Sequence, residues 1–302
     1  MGNSKSASGK SGRRKRVALV LNRKARGGAK AARFIRALER RGHVVQVIEP
    51  ASVAEGLAAV RKHGKGAARI VVGGGDGTIS GLLPALIKLD KPFGILPLGT
   101  ANDFARSLGI PTMPAGAADA ITNGKPRKVD VGFLDKRPFM NVAHLGIGAN
   151  VAKAHKGLAK KLLGIAAYPL RFAEAYQKTR PIRVRIIADG ETHEVTCSEL
   201  AVGAGKYFGS GLCLDRDATL NDGVLRLHAI APRTPAGWAK LLPALVGGRL
   251  AGTEGTLSLE AVRFVIKPGR KLRANVDGEI DGSFPATITV RPAAMRVLVP
   301  RG

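Results

Sequence analysis

Apolar residues in the first 130 positions occur in two patterns that alternate along the chain. Short continuous apolar runs predict four strands, at 17–21, 44–48, 68–72 and 93–96, of which the first is expected to be buried. Helical spacing of apolar residues predicts helices at 29–41 and 79–88, and Ser52 with Glu55 forms a capping box that predicts another helix start. Strands and helices in this order are typical of a parallel sheet covered by helices.

Beyond residue 130 the pattern changes to longer strands separated by turn signals. The strand-like runs lie at 183–188, 194–202, 224–230, 256–266 and 287–299. Asp189-Gly190 is a typical hairpin turn between the first two. We therefore predict an α/β plus β fold. A parallel-sheet α/β domain covers 16–130, a mainly antiparallel domain of β-sandwich type covers 131–289, and a C-terminal strand near 290–302 is expected to return to the first domain.

Composition excludes several classes of protein. Apolar residues make up 45% of the 302 residues, which is enough for a buried core and argues against a disordered chain. Cys197 and Cys213 have neither CxxC spacing nor a histidine at metal-ligand spacing, so we expect no disulfide framework and no structural zinc site. No apolar run approaches the roughly 18 residues of a membrane span, and the start lacks the apolar stretch of a signal peptide. We expect a soluble protein of the reducing cytoplasm, with a basic, mobile tail at 1–15.

The segment Gly73-Gly74-Gly75-Asp76-Gly77-Thr78 lies directly between a predicted strand and a predicted helix. Consecutive glycines allow backbone N–H groups to approach a ligand closely, and the start of the following helix adds a positive partial charge. This combination suits phosphate. Asp76 would repel phosphate unless a divalent cation lay between them, so its presence indicates a metal–nucleotide complex. The alternative is a tight turn in which Asp76 caps the helix.

A second loop, Leu96 to Arg106 (LPLGTANDFAR), follows the fourth predicted strand. Ligands of open α/β sheets bind at the carboxyl ends of the strands, so we expect the two loops to face one another across a single site. Thr100 and Asn102 offer polar contacts to phosphate or ribose. The alternative for Asn102 or Asp103 is the N-cap of the helix that follows.

These two loops, together with Asp277-Gly278-Glu279 near the C-terminus, resemble the diacylglycerol kinase catalytic domain superfamily. That superfamily includes bacterial diacylglycerol kinases and related lipid kinases, sphingosine kinases and ceramide kinases. The resemblance runs from about Arg16 to the C-terminus. It implies an ATP- and Mg²⁺-dependent lipid kinase whose first domain binds the nucleotide and whose second domain binds the lipid.

The segment Asn22 to Gly27 stands where the family typically has Asn-Pro-x-Ser/Ala-Gly. Asn22 and Ala25 match this motif, whereas Arg23 and Arg26 replace the usual Pro and Gly. Two arginines close to a triphosphate are electrostatically reasonable.

The resemblance also implies roles for individual residues. Nucleotide binding falls to Asn22, Gly74, Gly75, Asp76, Gly77, Thr78, Thr100 and Asn102. Asp76 would in addition hold the catalytic Mg²⁺ through water. Glu279 would be the general base that takes the proton of the lipid hydroxyl, with Asp277 and Asp222 ordering the water and metal network behind it. The alternative for Asp277-Gly278-Glu279 is an ordinary hairpin turn.

The loop from Asp217 to Leu225 resembles the family's second-domain metal loop, where one Asp side chain and backbone carbonyls bind a structural Mg²⁺. By position these ligands are Asp222 and the carbonyl groups of Thr219 and Val224. Without the resemblance, Asn-Asp-Gly before a strand favours a simple turn. Acids are scarce in this chain, and several of them stand at strand ends and glycine turns, a placement that indicates Mg²⁺ binding.

The charge of the chain indicates a membrane partner. Lys and Arg number 49 against 22 Asp and Glu, a formal charge of +27 at pH 7. Between Lys153 and Arg185 basic residues are interleaved with apolar ones, which suits an anionic membrane surface that holds a lipid substrate. The alternative for this stretch is a solvated helix face. We expect peripheral association with the inner face of the membrane, and the oligomeric state is open, with a homodimer among the options.

Two other functions compete with this interpretation. A nucleic-acid binder would also be basic, but the chain has 13 aromatic residues and no recognisable binding module, and we expect no specific nucleic-acid partner. A kinase with a soluble substrate is a nearer alternative, because NAD kinases share a Gly-Gly-Asp-Gly-Thr loop. The second loop and the late Asp-Gly-Glu favour the lipid branch.

Overall fold

The computed structural model describes residues 15–23, 28–146, 180–209, 212–213, 215–232 and 247–301, with isolated positions between 234 and 244. The basic tail, except for its last residue, lies outside the described residues. Most of the basic stretch from Lys153 to Arg185 lies outside them as well, as do Ala25 and Arg26 of the first-strand motif.

The first part of the chain alternates strands and helices as predicted. Its elements are β1 (Lys15–Leu21), α1 (Gly28–Glu39), β2 (His43–Ile48), α2 (Val53–Gly64), β3 (Arg69–Gly74), α3 (Asp76–Leu89), β4 (Phe93–Pro97), α4 (Asp103–Ser107) and α5 (Pro114–Asn123). The four strands are parallel, in the order β2-β1-β3-β4. Glu55 N donates to Ser52 Oγ at 3.2 Å, so the predicted start of α2 is confirmed.

The rest of the described chain is nearly all strand. Its elements are β5 (Lys125–Leu134), β6 (Arg137–Phe139), β7 (Val142–Gly146), β8 (Ile182–Ala188), β9 (Glu191–Cys197), β10 (Glu199–Gly203), β11 (Tyr207–Gly209), β12 (Leu212–Cys213), β13 (Leu225–Ile230), β14 (Thr256–Ala261), β15 (Arg263–Pro268), β16 (Leu272–Val276), β17 (Glu279–Phe284) and β18 (Ala286–Val299). Six of them form an antiparallel sheet in the order β14-β13-β10-β7-β16-β17. The predicted combination of an α/β part with an antiparallel β part is thereby confirmed.

Two strands predicted as continuous are each divided between two sheets. The run at 194–202 forms β9 and β10, and the run at 256–266 forms β14 and β15. The chain crosses from one sheet to the other at Ser198 and at Val262. At the first crossing the apolar alternation shifts by one residue, from Val195 and Cys197 to Leu200 and Val202. The run is apolar on both sides of the crossing because both sheets bury their inner faces in the same core.

Strand β18 joins the parallel strands to the antiparallel ones. Its first residues pair with β15, whereas Val297 pairs in parallel with Phe93 of β4. Between these parts the register with β5 shifts, and Ala293 adopts a left-handed conformation with φ 52°. The Asp130 carboxylate accepts a hydrogen bond from Ala293 N at 2.8 Å, which stabilises this bulge. One ten-stranded sheet therefore runs through both halves, and the boundary predicted at residue 130 falls inside β5.

Each half has its own apolar core. The first lies between the parallel strands and their helices, with Phe34, Leu83, Phe93 and Phe104 fully buried. The second lies between the two sheets and includes the fully buried Phe139, Phe264 and Phe284. Because the core of the first half covers both faces of β1, β3 and β4, these strands are almost continuously apolar, whereas the edge strand β2 is largely exposed.

Candidate active site

Two glycine loops lie together at the carboxyl ends of β3 and β4. Leu98 N donates to Gly74 O at 3.0 Å. A Cβ atom on Gly99 would lie only 2.5 Å from Gly75 Cα, and one on Gly75 would lie 2.9 Å from Gly99 Cα. The two backbones are therefore in direct contact, and no side chain fits between them.

Asp76 connects the two loops. Its Oδ2 accepts a hydrogen bond from Asp103 N and its Oδ1 accepts one from Phe104 N, both at 3.0 Å. The carboxylate thus caps the first turn of α4 from outside that helix, where a negative charge is favourable. The predicted alternative that Asp76 caps its own helix is wrong: it is the first residue of α3 and caps a neighbouring one.

Asn102 fixes the shape of the second loop. It is buried in a left-handed conformation, φ 51°, and occupies the N-cap position of α4 without making a side-chain cap bond. Its Oδ1 instead accepts from Gly99 N at 2.8 Å, and its Nδ2 donates to Gly99 O at 2.9 Å. Thr100, between them, is exposed to solvent. The side chain of Asp76 therefore caps α4, while Asn102 holds the N-cap position without a side-chain cap bond.

The loop after β1 reaches the start of α3. Asn22 Nδ2 donates to Thr78 Oγ1 at 2.8 Å, and Asn22 N donates to Gly73 O at 2.9 Å. Gly77 is exposed, and a Cβ atom there would meet nothing within 4 Å. The residues predicted to hold a nucleotide are thus grouped around the N-terminus of α3, the region where a helix leaves N–H groups available to an anion.

Lys30 joins this group although sequence reasoning did not identify it. It lies in the first turn of α1, and its Nζ donates to Pro97 O at the end of β4, at 3.2 Å. A half-buried ammonium group therefore stands at the same edge of the sheet as the two loops. The sequence signal that could have identified Lys30 is its position in the first turn of the helix that follows the Asn22 loop. Arg23, in contrast, forms an exposed ion pair with Glu49 at 3.0 Å.

Asp277 and Gly278 form the two-residue turn between β16 and β17. Both have positive φ, 49° and 90°, and Val276 pairs with Glu279 across the turn. This is the hairpin that sequence reasoning gave as the alternative, and its geometry favours Asp-Gly. The turn is also the place where Asp277 enters a hydrogen-bond network.

The Asp277 carboxylate accepts four hydrogen bonds. Ser80 Oγ donates at 2.9 Å, and the backbone N–H groups of Met140, Asn141 and Val142 donate at 3.0, 2.9 and 3.2 Å. Burial raises the pKa of this carboxyl group, although all four donors act against the rise. Asp277 therefore ties the hairpin both to α3, one turn after Asp76, and to the segment between β6 and β7.

Glu279 is exposed beside this anchored turn, with 60% of its side chain accessible. Its Oε2 lies 3.7 Å from Arg137 Nη2, and Arg137 Nε lies 3.0 Å from Asp281 Oδ2. Arg137, from β6, was not identified in the sequence. A solvent-accessible carboxylate held next to a cation, on a turn fixed against α3, has the reach and the freedom to accept a proton.

The predicted second-domain metal loop is held by a different set of hydrogen bonds. Asp222 accepts hydrogen bonds from Thr219 N and Val224 N, both at 3.3 Å, and from Arg226 Nη1 at 2.7 Å. Gly223 N donates to Asp130 Oδ2 at 2.8 Å, which attaches the loop to β5. Thr219 and Val224 thus contact Asp222 through their backbone N–H groups. The resemblance implies, in addition, that their carbonyl groups bind a metal ion.

Family comparisons cover nearly the whole chain. Residues 16–134 match the diacylglycerol kinase catalytic domain, and residues 141–299 match the YegS C-terminal NAD kinase beta sandwich-like domain. A probable lipid kinase YegS-like from Pseudomonas putida is 34% identical over 254 residues, 83% of this chain and 81% of the relative. A diacylglycerol kinase from Bacillus subtilis is 30% identical over 235 residues, 77% of this chain and 78% of the relative.

A crystal structure of a diacylglycerol kinase from Bacillus anthracis has the same fold. It superposes with a TM-score of 0.76 at 21% identity and covers 94% of this chain and 97% of its own. Among the described residues, no helix is both long and apolar enough to cross a membrane.

Proposed function

Because the chain belongs to the diacylglycerol kinase catalytic domain family, and is a phosphotransferase that acts on an alcohol, we propose that it transfers the γ-phosphate of ATP to a hydroxyl group of diacylglycerol or a related lipid. Ceramide and sphingoid bases are the related acceptors, since each carries a primary hydroxyl next to long apolar chains. The observation that carries the proposal is the pair of contacting glycine loops, joined by Asp76 at the N-terminus of α3.

The nucleotide would bind at this N-terminus. The backbone N–H groups of Asp76 and Gly77 and the Thr78 hydroxyl offer donors for phosphate oxygens, and Lys30 offers a positive charge. Asp76 fits a divalent cation through a bridging water. Its two oxygens each accept one amide at 3.0 Å, which leaves further lone pairs on a carboxylate that is only partly buried. When bound, Mg²⁺ would supply neutralisation of the charge on the phosphates.

Glu279 would act as the general base. It takes the proton of the lipid hydroxyl while that oxygen forms a bond to the γ-phosphorus and the bond to the leaving ADP oxygen breaks. Arg137 orients the carboxylate, and the four bonds to Asp277 hold the turn in place. These residues contribute mainly by positioning the base. Positioning of the reacting groups accounts for much of the catalysis of phosphoryl transfer.

The lipid acceptor stays in the bilayer, so the enzyme would work at an anionic membrane surface. The formal charge of +27 favours such a surface by long-range attraction, as does the basic and apolar stretch from Lys153 to Arg185. We propose peripheral attachment to the inner face of the membrane.

The test is transfer of labelled γ-phosphate from Mg-ATP to diacylglycerol, ceramide and sphingosine in mixed micelles. Glu279→Gln is expected to lower turnover by about 10² or more while ATP binding is kept. Asp281→Asn is the matched control, because Asp281 binds the same Arg137 but is assigned no proton transfer. Near-normal turnover of Glu279→Gln would exclude Glu279 as the base.

A parallel assay offers NAD as the acceptor, because residues 141–299 match a domain family with an NAD kinase-like β-sandwich. Label on a lipid that disappears in Asp76→Ala supports the proposal. Label on NAD and on no lipid would replace it with a soluble-substrate kinase.

A further inference from the structure

We infer that the guanidinium of Arg226 is the cation of the Asp217 to Leu225 loop, and that this loop holds its shape without a structural divalent metal ion. The proposed catalytic role of Mg²⁺ at Asp76 is not affected, because Asp76 lies at the start of α3 and outside this loop.

Arg226 lies among three carboxylates that come from separate parts of the chain. Its Nη1 is 2.7 Å from Asp222 Oδ2, and its Nε is 3.1 Å from Asp215 Oδ2 and 3.0 Å from Glu260 Oε1. Only 15% of the Arg226 side chain is exposed. One planar guanidinium with several donors thus connects the loop, the Asp215 bridge and β14, as a multivalent metal ion would connect them.

The residues around Asp222 do not fit a divalent cation bound directly to that carboxylate. Mg²⁺ binds oxygen at about 2.1 Å, so an ion on Oδ2 would lie within about 5 Å of the guanidinium, where the two positive charges repel each other. Both oxygens of Asp222 already accept hydrogen bonds, Oδ1 from Val224 N and Oδ2 from Thr219 N and Arg226 Nη1. Among the described residues, no group of three or more His, Cys, Asp or Glu side chains is arranged to hold a metal ion.

The ionisation of Asp222 agrees with this arrangement. Burial disfavours its charged form, but the Arg226 guanidinium and the amides of Val224 and Thr219 outweigh burial and lower the pKa of the carboxyl group. The ion pair is therefore intact at neutral pH. The neighbouring Gly223 is fixed to Asp130, so the loop held by Arg226 also positions β5 and the bulge of β18.

The test is thermal unfolding of the full chain without nucleotide, in EDTA and in millimolar Mg²⁺ or Ca²⁺. We expect the Tm of the wild type to differ by less than about 1 °C between these conditions. Arg226→Met is expected to lower the Tm in EDTA by about 5 °C or more, because it leaves three carboxylates without their counter-charge. Lys62→Met, on the exposed surface of α2, is the control for loss of a cation and should stay within about 1 °C of the wild type.

Two results would overturn the inference. One is a wild-type Tm that rises by several degrees in Mg²⁺ through a response that Asp222→Asn removes and Asp76→Asn keeps. The other is a folded Arg226→Met variant whose Tm in EDTA equals that of the wild type. If Arg226→Met does not fold, the comparison of the wild type with and without cations still tests the inference. Neither measurement depends on phosphate transfer, so a failure of the proposed function would be detected independently.

Discussion

The contact between Gly75 and Gly99 offers a direct test of how the two loops build the site. Neither residue has a positive φ, so alanine at either position changes packing without backbone strain. A Cβ atom on Gly99 would lie 2.5 Å from Gly75 Cα, about 1 Å closer than an ordinary carbon–carbon contact. A Cβ atom on Gly75 would lie 2.9 Å from Gly99 Cα, an overlap of about 0.6 Å. The obstructing atoms are backbone, which cannot turn aside as a side chain can.

These overlaps set the expected magnitudes. Gly99→Ala must separate the loops by about 1 Å, and overpacking of this kind costs about 1–3 kcal/mol in the free energy of unfolding. A displacement of about 1 Å at a catalytic site lowers kcat/KM by about 10². Gly75→Ala has the smaller overlap, so we expect the same effects at lower magnitude, with kcat/KM reduced about tenfold.

The assay combines urea unfolding with phosphate transfer to lipid in mixed micelles. Gly66→Ala is the matched control, because Gly66 is exposed between α2 and β3 and a Cβ atom there meets nothing within 4 Å. We expect this control to lie within about 0.5 kcal/mol of the wild type. If Gly99→Ala matched Gly66→Ala in both stability and kcat/KM, the loops would not be in the contact described.

Three further predictions concern single side chains. Asp277→Asn should lower the free energy of unfolding by about 2 kcal/mol, because the NH₂ group of the new amide must face an N–H donor. Ser80→Ala should lower it by about 1 kcal/mol, because one hydrogen bond is lost. Equal values for the two variants in urea unfolding would contradict the four-donor arrangement. Burial lowers the pKa of His228 to about 4, so the folded state binds its proton more weakly than the unfolded state. Wild-type stability should therefore fall by up to about 3 kcal/mol as the pH falls from about 6.5 to 4, and His228→Gln should lose less over the same range in denaturant titrations. Lys30→Met should raise the Kd for ATP about tenfold, measured by titration with a fluorescent nucleotide, and Lys62→Met on the exposed surface of α2 should leave it unchanged.

Local sequence patterns are sufficient for the four strands of the first half and for α1 and α3, whereas α5 was not predicted. A parallel strand covered on both faces must be continuously apolar, so β1, β3 and β4 are evident from the chain itself. The same patterns fail at Ser198 and Val262, where the apolar alternation shifts by one residue and the chain passes from one sheet to another. Such a shift is also what a bulge within one strand produces, so only the pairing of the strands reveals the crossing.

The sequence by itself determined the position of the two glycine loops and of the Asp-Gly turn, because their chemistry depends on neighbours within a few residues. Only the tertiary structure decided what the polar side chains among them bind. Asp76 caps a helix that starts 27 residues later, Asp277 holds residues more than 130 positions away, and Arg226 pairs with Glu260, 34 residues further along the chain. A carboxylate selects its partner by distance in space, and the folding of the whole chain sets that distance.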